Sequence, residues 1–261
     1  MNKRGQLTLF IIVAIVIVTA TLFYFFFLPA GSINEQFISG KGLKSDISNT
    51  RENLFDCIDS TAKDATIVIG LQGGHYRRPD KFYELQLTFL SYHYYEGQLF
   101  SPSLEEVEER ISSFINNNLI DCFNKKEYPV KLNFTVPKTT TKLVDNEAII
   151  NVNLDITLEA EKTTHIININ EKEFRIATKL KGMLEMAEYL TEYHKTDPKF
   201  YCVNCLSIMG YERGLNVEML PFIENDTKEI IIYENQTNTP NLAMFVYLNK
   251  YTGDEVSPTF N

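Results

Sequence analysis

Residues 150–159 read Ile150-Asn151-Val152-Asn153-Leu154-Asp155-Ile156-Thr157-Leu158-Glu159, an apolar side chain at every second position with a polar one between. Successive side chains of a strand point to opposite faces, so alternation of this length predicts a strand with one buried and one wet face. Just upstream, Val130, Leu132, Phe134 and Val136 alternate with Lys131, Asn133 and Thr135 in the same way. A shorter run at 165–169 is placed to pair back onto the first. Residues 215–220, 229–233 and 242–248 read as further strands, with a turn over 235–241.

Outside these runs the period changes to that of a helix. Leu54, Ile58, Ala65 and Ile69 recur at helical spacing between about Ser45 and Gly70, and Gly70-Leu71-Gln72-Gly73-Gly74 ends the segment as a cap and turn. That stretch follows a helix rather than a strand and lacks G-x-G-x-x-G spacing, so it is not read as a phosphate loop. Ser103 and Glu106 have the spacing of a capping box, and Leu104, Val107, Ile111, Phe114, Ile115 and Leu119 form an amphipathic face up to about Cys122. Leu180, Met183, Leu184, Ala187 and Leu190 mark another helix, followed by Pro198. Helices mixed with antiparallel strands predict an α+β body.

The N-terminus has a different character. Residues 7–28, LTLFIIVAIVIVTATLFYFFFL, contain no charge, Pro or Gly. About 20 helical residues cross a hydrocarbon core of roughly 30 Å, and the run has no polar stripe at period 3.6. Lys3 and Arg4 precede it, and no acidic residue occurs before Glu35. The positive-inside rule then places the N-terminus in the cytoplasm and the body outside. Tyr24 and Phe25 to Phe27 suit the outer interface, and Pro29 and Gly31 stop the helix. The apolar region is longer than that of a secretory signal, and no small-x-small cleavage site follows it. The expected architecture is an N-terminal transmembrane helix followed by an extracytoplasmic domain of helices and antiparallel sheet. Its expected parts are a basic leader (1–5), the membrane helix (6–30), a linker (31–46) and the α+β domain (47–261), with a subdivision considered near 125.

Lys3-Arg4-Gly5-Gln6-Leu7-Thr8-Leu9-Phe10 resembles the class III signal peptide of archaeal type IV pilin-like proteins. The resemblance covers about the first 28 residues. It implies cleavage by a prepilin peptidase between Gly5 and Gln6, with the apolar helix kept in the mature chain and available for polymerisation. Many pilins carry Glu at the fifth mature position, where this chain has Phe10. That departure, and the size of the body, point to a minor or pseudopilin-like role rather than a major subunit. A plain signal anchor is the competing reading.

Residues 31–261 hold 23 basic and 34 acidic side chains. An acidic body repels the phosphate backbone, so nucleic acid is not an expected partner. The expected partners are membrane lipid, further copies of this chain or other pilin-like subunits, and the peptidase. No cofactor, metal site or catalytic residue is expected. His75, His93, His165 and His194 show no H-E-x-x-H or i, i+4 pattern, no G-x-S-x-G is present, and Glu105, Glu106, Glu108 and Glu109 read as a solvated helix face.

Four cysteines allow three pairings. Cys57 lies one turn after Leu54 and Cys122 three residues after Leu119, so both fall near apolar helix faces, and a Cys57–Cys122 disulfide is expected. Cys202-Val203-Asn204-Cys205 has four competing readings: a local disulfide, half of a zinc site, a thiol-oxidoreductase motif that would make the chain an extracytoplasmic enzyme, or reduced and inert buried thiols. Asn133, Asn225 and Asn235 open N-x-Thr patterns that fit glycosylation or chance in an Asn-rich chain. Tyr92-His93-Tyr94-Tyr95, with Tyr76 and Tyr83 nearby, reads as core filling ahead of a binding face. The leading functional expectation is a membrane-anchored structural or interaction protein. An anchored binding or adhesion module that never assembles is the alternative.

Overall fold

Leu54, Ile58, Ala65 and Ile69 do face one way, and all four are fully buried along helix α1, Lys41–Leu71. The computed structural model describes residues 41–128, 131–160, 163–170, 172–196, 203–234 and 243–252. The apolar segment 7–28, Gly5, Gln6, Val130, Cys202, Pro198 and the turn containing Asn235 lie outside them. Among the described residues, no helix is long and apolar enough to cross a membrane. Ser45–Asn261 forms one compact unit, with no division near 125. Helix α1 starts inside the segment read as a linker, so residues 41–46 are helical.

α1 ends as the glycines require. Gly74 N–H donates to the Ile69 carbonyl at 2.8 Å and Gly73 N–H to the Gly70 carbonyl at 3.1 Å. This is a Schellman closure with Gly73 left-handed at φ 62°. Gly70 has a separate reason to lack a side chain. A Cβ there would stand 2.3 Å from the Met244 carbonyl oxygen, which belongs to a backbone that cannot step aside. Gly70→Ala is therefore expected to cost about 3 kcal/mol, as overpacking against backbone does. Gly182, whose added Cβ would meet nothing nearer than 3.5 Å, is the control: Gly182→Ala should leave the urea midpoint unchanged or raise it. Equal midpoints for the two variants would show that the close approach at Gly70 is not a constraint.

After α1 come β1 (Phe82–Glu84), β2 (Phe89–Tyr95), β3 (Gln98–Leu99) and helix α2 (Leu104–Lys125). The capping box is present: Ser103 Oγ accepts from Glu106 N–H, and Glu106 accepts from Ser103 N–H. Val107, Ile111, Ile115, Leu119 and Phe123 are the buried positions of α2. Next come β4 (Lys131–Phe134), β5 (Lys138–Val144), β6 (Glu147–Asn153), β7 (Asp155–Ala160), β8 (Thr163–Asn168) and β9 (Glu173–Ala177). The last described elements are α3 (Leu180–Thr196), α4 (Val203–Arg213), β10 (Leu215–Pro221), β11 (Thr227–Glu234) and β12 (Met244–Lys250).

The class is mixed α+β. One sheet has the order β1-β2-β12-β11-β10, with β3 on β2. It is not purely antiparallel, because β12 and β2 run parallel, with Leu248 opposite Tyr92. The chain between them contains most of the domain, as a parallel crossover needs intervening structure. Two three-stranded antiparallel sheets, β4-β7-β8 and β5-β6-β9, complete the strands among the described residues.

The run at 150–159 is two strands rather than one. Ile150, Val152, Leu154, Ile156 and Leu158 are all essentially buried, so the alternation holds throughout. The partners change at Leu154, however. β6 pairs with β5 and β9, and β7 with β4 and β8. At the switch the ladder gives way to side chains: Leu154 N–H donates to Asn170 Oδ1 at 2.8 Å and Asp155 N–H to Thr135 Oγ1 at 3.1 Å. Likewise β4 stops at Phe134. Pro137 lacks the N–H a ladder needs, and Val136 is 80% exposed.

One core joins α1, α2, α3, β6, β7, β11 and β12. Tyr247 is fully buried and its hydroxyl donates to the Ala187 carbonyl of α3 at 3.3 Å. On the opposite face of the same sheet Leu90, Tyr92, Val246 and Leu248 form a second cluster.

Candidate functional site

Cys57 of α1 and Cys122 of α2 form a disulfide with Cα atoms 5.8 Å apart. Cys57 is fully buried, so the bond lies inside the joint between the two helices. Cys205 on α4 is also disulfide-bonded, and no free cysteine occurs among the described residues.

The glycosylation candidates stand apart from one another. Asn133 is exposed on β4, where its amide donates to Glu159 Oε1 at 2.7 Å. Asn225 is exposed in the β10–β11 turn, where its carbonyl accepts from the Thr227 hydroxyl. Neither joins the cysteines in a common site. The Tyr92–Tyr94 strand is packing material: Tyr92, His93 and Tyr94 are buried, and Tyr92 hydroxyl donates to Glu224 at 2.7 Å. Two of the four glutamates read as solvated have structural partners. Glu106 is held by the cap, and Glu108 Oε1 accepts from Leu143 N–H at 2.7 Å.

A concave polar site of the body lies beside the turn that ends α1. It is a cavity of about 720 Å³. One wall is the segment that leaves Gly74, bringing His75, Tyr76, Arg77 and Arg78. The facing wall is one side of α2, where Arg110, Ser113 and Asn117 recur at helical spacing. Arg110 bolts the two together: its Nη1–H donates to the Gly74 carbonyl at 2.9 Å, and Nη2 lies 3.5 Å from Glu106 Oε1. Burial lowers the Arg110 pKa while Glu106 and Glu109 act to raise it; the guanidinium stays charged.

Two imidazoles sit behind this wall. His75 is 5% exposed, and its Nε2 has no hydrogen-bond partner among the described residues. Burial, the Arg110 charge and His93 together hold its pKa down to about 3. His93 is fully buried, its Nε2–H donating to the Gly73 carbonyl at 2.9 Å and its ring stacked on Tyr247 with centroids 4.2 Å apart. Burial lowers its pKa to about 4, although the bond to Gly73 works against that. Both rings are neutral at pH 7, His93 as the Nε2–H tautomer.

Tyr76 is fixed rather than loose. Its ring meets Phe114 edge-on with centroids 5.1 Å apart, and its hydroxyl accepts from Asn118 Nδ2–H at 3.3 Å. The site thus has a rigid aromatic wall, guanidinium donors and a neutral buried imidazole. Neither histidine titrates near neutrality, so neither ring takes up or gives a proton at pH 7. Among the described residues, no group of three or more His, Cys, Asp or Glu side chains is placed to hold a metal ion.

Sequence reasoning saw the glycine turn and the α2 face separately and did not join them. The usable signal was the Arg77-Arg78 doublet straight after a glycine-rich turn in an acidic chain. No family model matches the chain, and no curated protein or solved structure shows significant similarity to it.

Proposed function

We propose that this chain is a membrane-anchored extracytoplasmic interaction protein without catalytic activity, its apolar segment 7–28 in the lipid and its α+β body outside. The observation that carries the reading is the disulfide between α1 and α2, reinforced by the bonded Cys205. Such bonds persist in oxidising compartments and are rare in reducing ones. An uncharged N-terminal run behind Lys3 and Arg4 supplies the route to that compartment.

Within this reading the RGQ start favours a pilin-like subunit whose leader is removed between Gly5 and Gln6 by a prepilin peptidase, with further copies or pilin-like subunits as partners. The cavity beside α2 favours the second reading, an anchored binding module that never assembles, since a purely structural subunit has no need of a built polar pocket.

The test is the intact mass and free-thiol count of chain purified from membranes without reductant. Anchored, exported protein should show no titratable thiol, and a mass lacking residues 1–5 if the pilin-like processing occurs. Full-length chain found in the soluble cytosol with four free thiols sinks the reading.

A further inference from the structure

Ligand pockets of a few hundred to about 1,000 Å³ combine shaped apolar walls with a few convergent polar groups. The cavity between the α1 turn and α2, at about 720 Å³, has that form. Its charge is the opposite of the chain's. Three arginines and one aspartate, Asp80, line it, in a protein whose net charge is −9.

The three guanidiniums are not equivalent. Arg78 is committed to Glu84, with Nε at 2.9 Å and Nη2 at 2.6 Å from its carboxylate. Arg110 spends one arm on the Gly74 carbonyl and lies near Glu106, leaving further N–H donors on a half-buried group. Arg77 has no hydrogen-bond or ion-pair partner among the described residues and is exposed at the cavity.

Uncharged groups supply the rest. Tyr76, braced by Phe114 and Asn118, and Phe100 offer ring faces against which a compact body can lie. Ser113 and Asn117 add hydroxyl and amide groups, and His75 completes the lining.

We propose that this cavity binds a small hydroxyl-rich oxyanion, of the sugar-acid or sugar-phosphate class, with its anionic group held by Arg77 and Arg110 and its ring body against Tyr76. The assignment goes beyond the anchoring reading and is independent of it. Carboxylate and phosphate share the geometry a guanidinium recognises, so the chemistry common to both is what the residues specify.

The test is calorimetric titration of the full-length, disulfide-intact chain in detergent micelles with D-glucuronate, glucose 6-phosphate, glucose and inorganic phosphate. One of the two sugar anions is expected to bind saturably, with glucose and inorganic phosphate at least about tenfold weaker. Which anion wins separates the carboxylate from the phosphate source. Arg77→Ala should weaken that binding about tenfold while leaving thermal unfolding unchanged, since Arg77 supports nothing in the fold. Arg110→Gln should weaken it too but also loosens the Gly74 turn, so Arg77 is the deciding variant. The proposal is overturned if neither sugar anion binds saturably, if glucose or inorganic phosphate binds as well as they do, or if Arg77→Ala binds undiminished.

Discussion

Replacing both Cys57 and Cys122 by alanine is expected to lower the unfolding free energy by about 4 kcal/mol. The bond closes a loop of 65 residues in sequence. Cross-linking so long a loop removes much of the conformational freedom of the unfolded chain, and the gain grows with the logarithm of loop length. Deleting a fully buried Sγ adds a small cavity term on top. For a domain of this size the unfolding temperature should fall by roughly 10 °C. The control is Cys205→Ala, which removes the bond made by Cys205: the local C-x-x-C reading of the sequence predicts a loop of only a few residues there, so a loss near 2 kcal/mol is expected. A shift for the Cys57/Cys122 pair no larger than that control would show that apolar packing alone holds α1 against α2. It would also remove the energetic support for the proposed oxidising compartment.

Much of the fold could be read from the sequence wherever a local rule and the tertiary structure ask for the same residue. Ser103 and Glu106 form the expected cap because the two hydrogen bonds are local and need no partner from elsewhere. The α1 face at Leu54, Ile58 and Ile69 follows from period alone. Cys57 and Cys122 were placed on the right faces by the same periodicity, and the bond between them followed.

What was hidden is long-range. Alternation at 150–158 specifies which side chains are buried but not which strand lies alongside. The exchange of partners at Leu154 depends on Asn170 and Thr135 supplying side-chain hydrogen bonds to the backbone there. The parallel pairing of β2 with β12 joins Tyr92 to Leu248, a contact no local pattern encodes. β9 is short, with Glu173 and Arg175 on its wet face paired to each other, and α4 has little amphipathic contrast; neither stands out from sequence. The cavity was invisible for the same reason. Arg110 reads as one more charged residue on a wet helix face until the Gly74 carbonyl is brought within 2.9 Å of it.

The second large effect is a loss of stability in mild acid. His75 and His93 have pKa values of about 3 and 4 in the folded protein against 6.5 for the free side chain. Below pH 6.5 the unfolded chain takes up two protons that the folded chain refuses until much lower pH. Stability is therefore complete above about pH 7 and falls as the pH drops from 6.5 toward 4, at up to about 1.4 kcal/mol per histidine per pH unit. Between pH 7 and 4.5 the two together should remove roughly 5 kcal/mol. The carboxyls held low by hydrogen bonds and cations, Glu106, Asp145 and Glu159, add to the loss only at the acid end of this window, below about pH 5. Glu229, raised by burial, pulls weakly the other way. Urea unfolding at intervals from pH 7 to 4.5 measures the slope, and His93→Gln should cut it by about half whatever its effect at neutral pH. A flat profile would mean that the folded protein accepts protons on both rings. In that case the dry packing of His93 between Gly73 and Tyr247, and the rigid turn it gives the cavity, would have to be abandoned together.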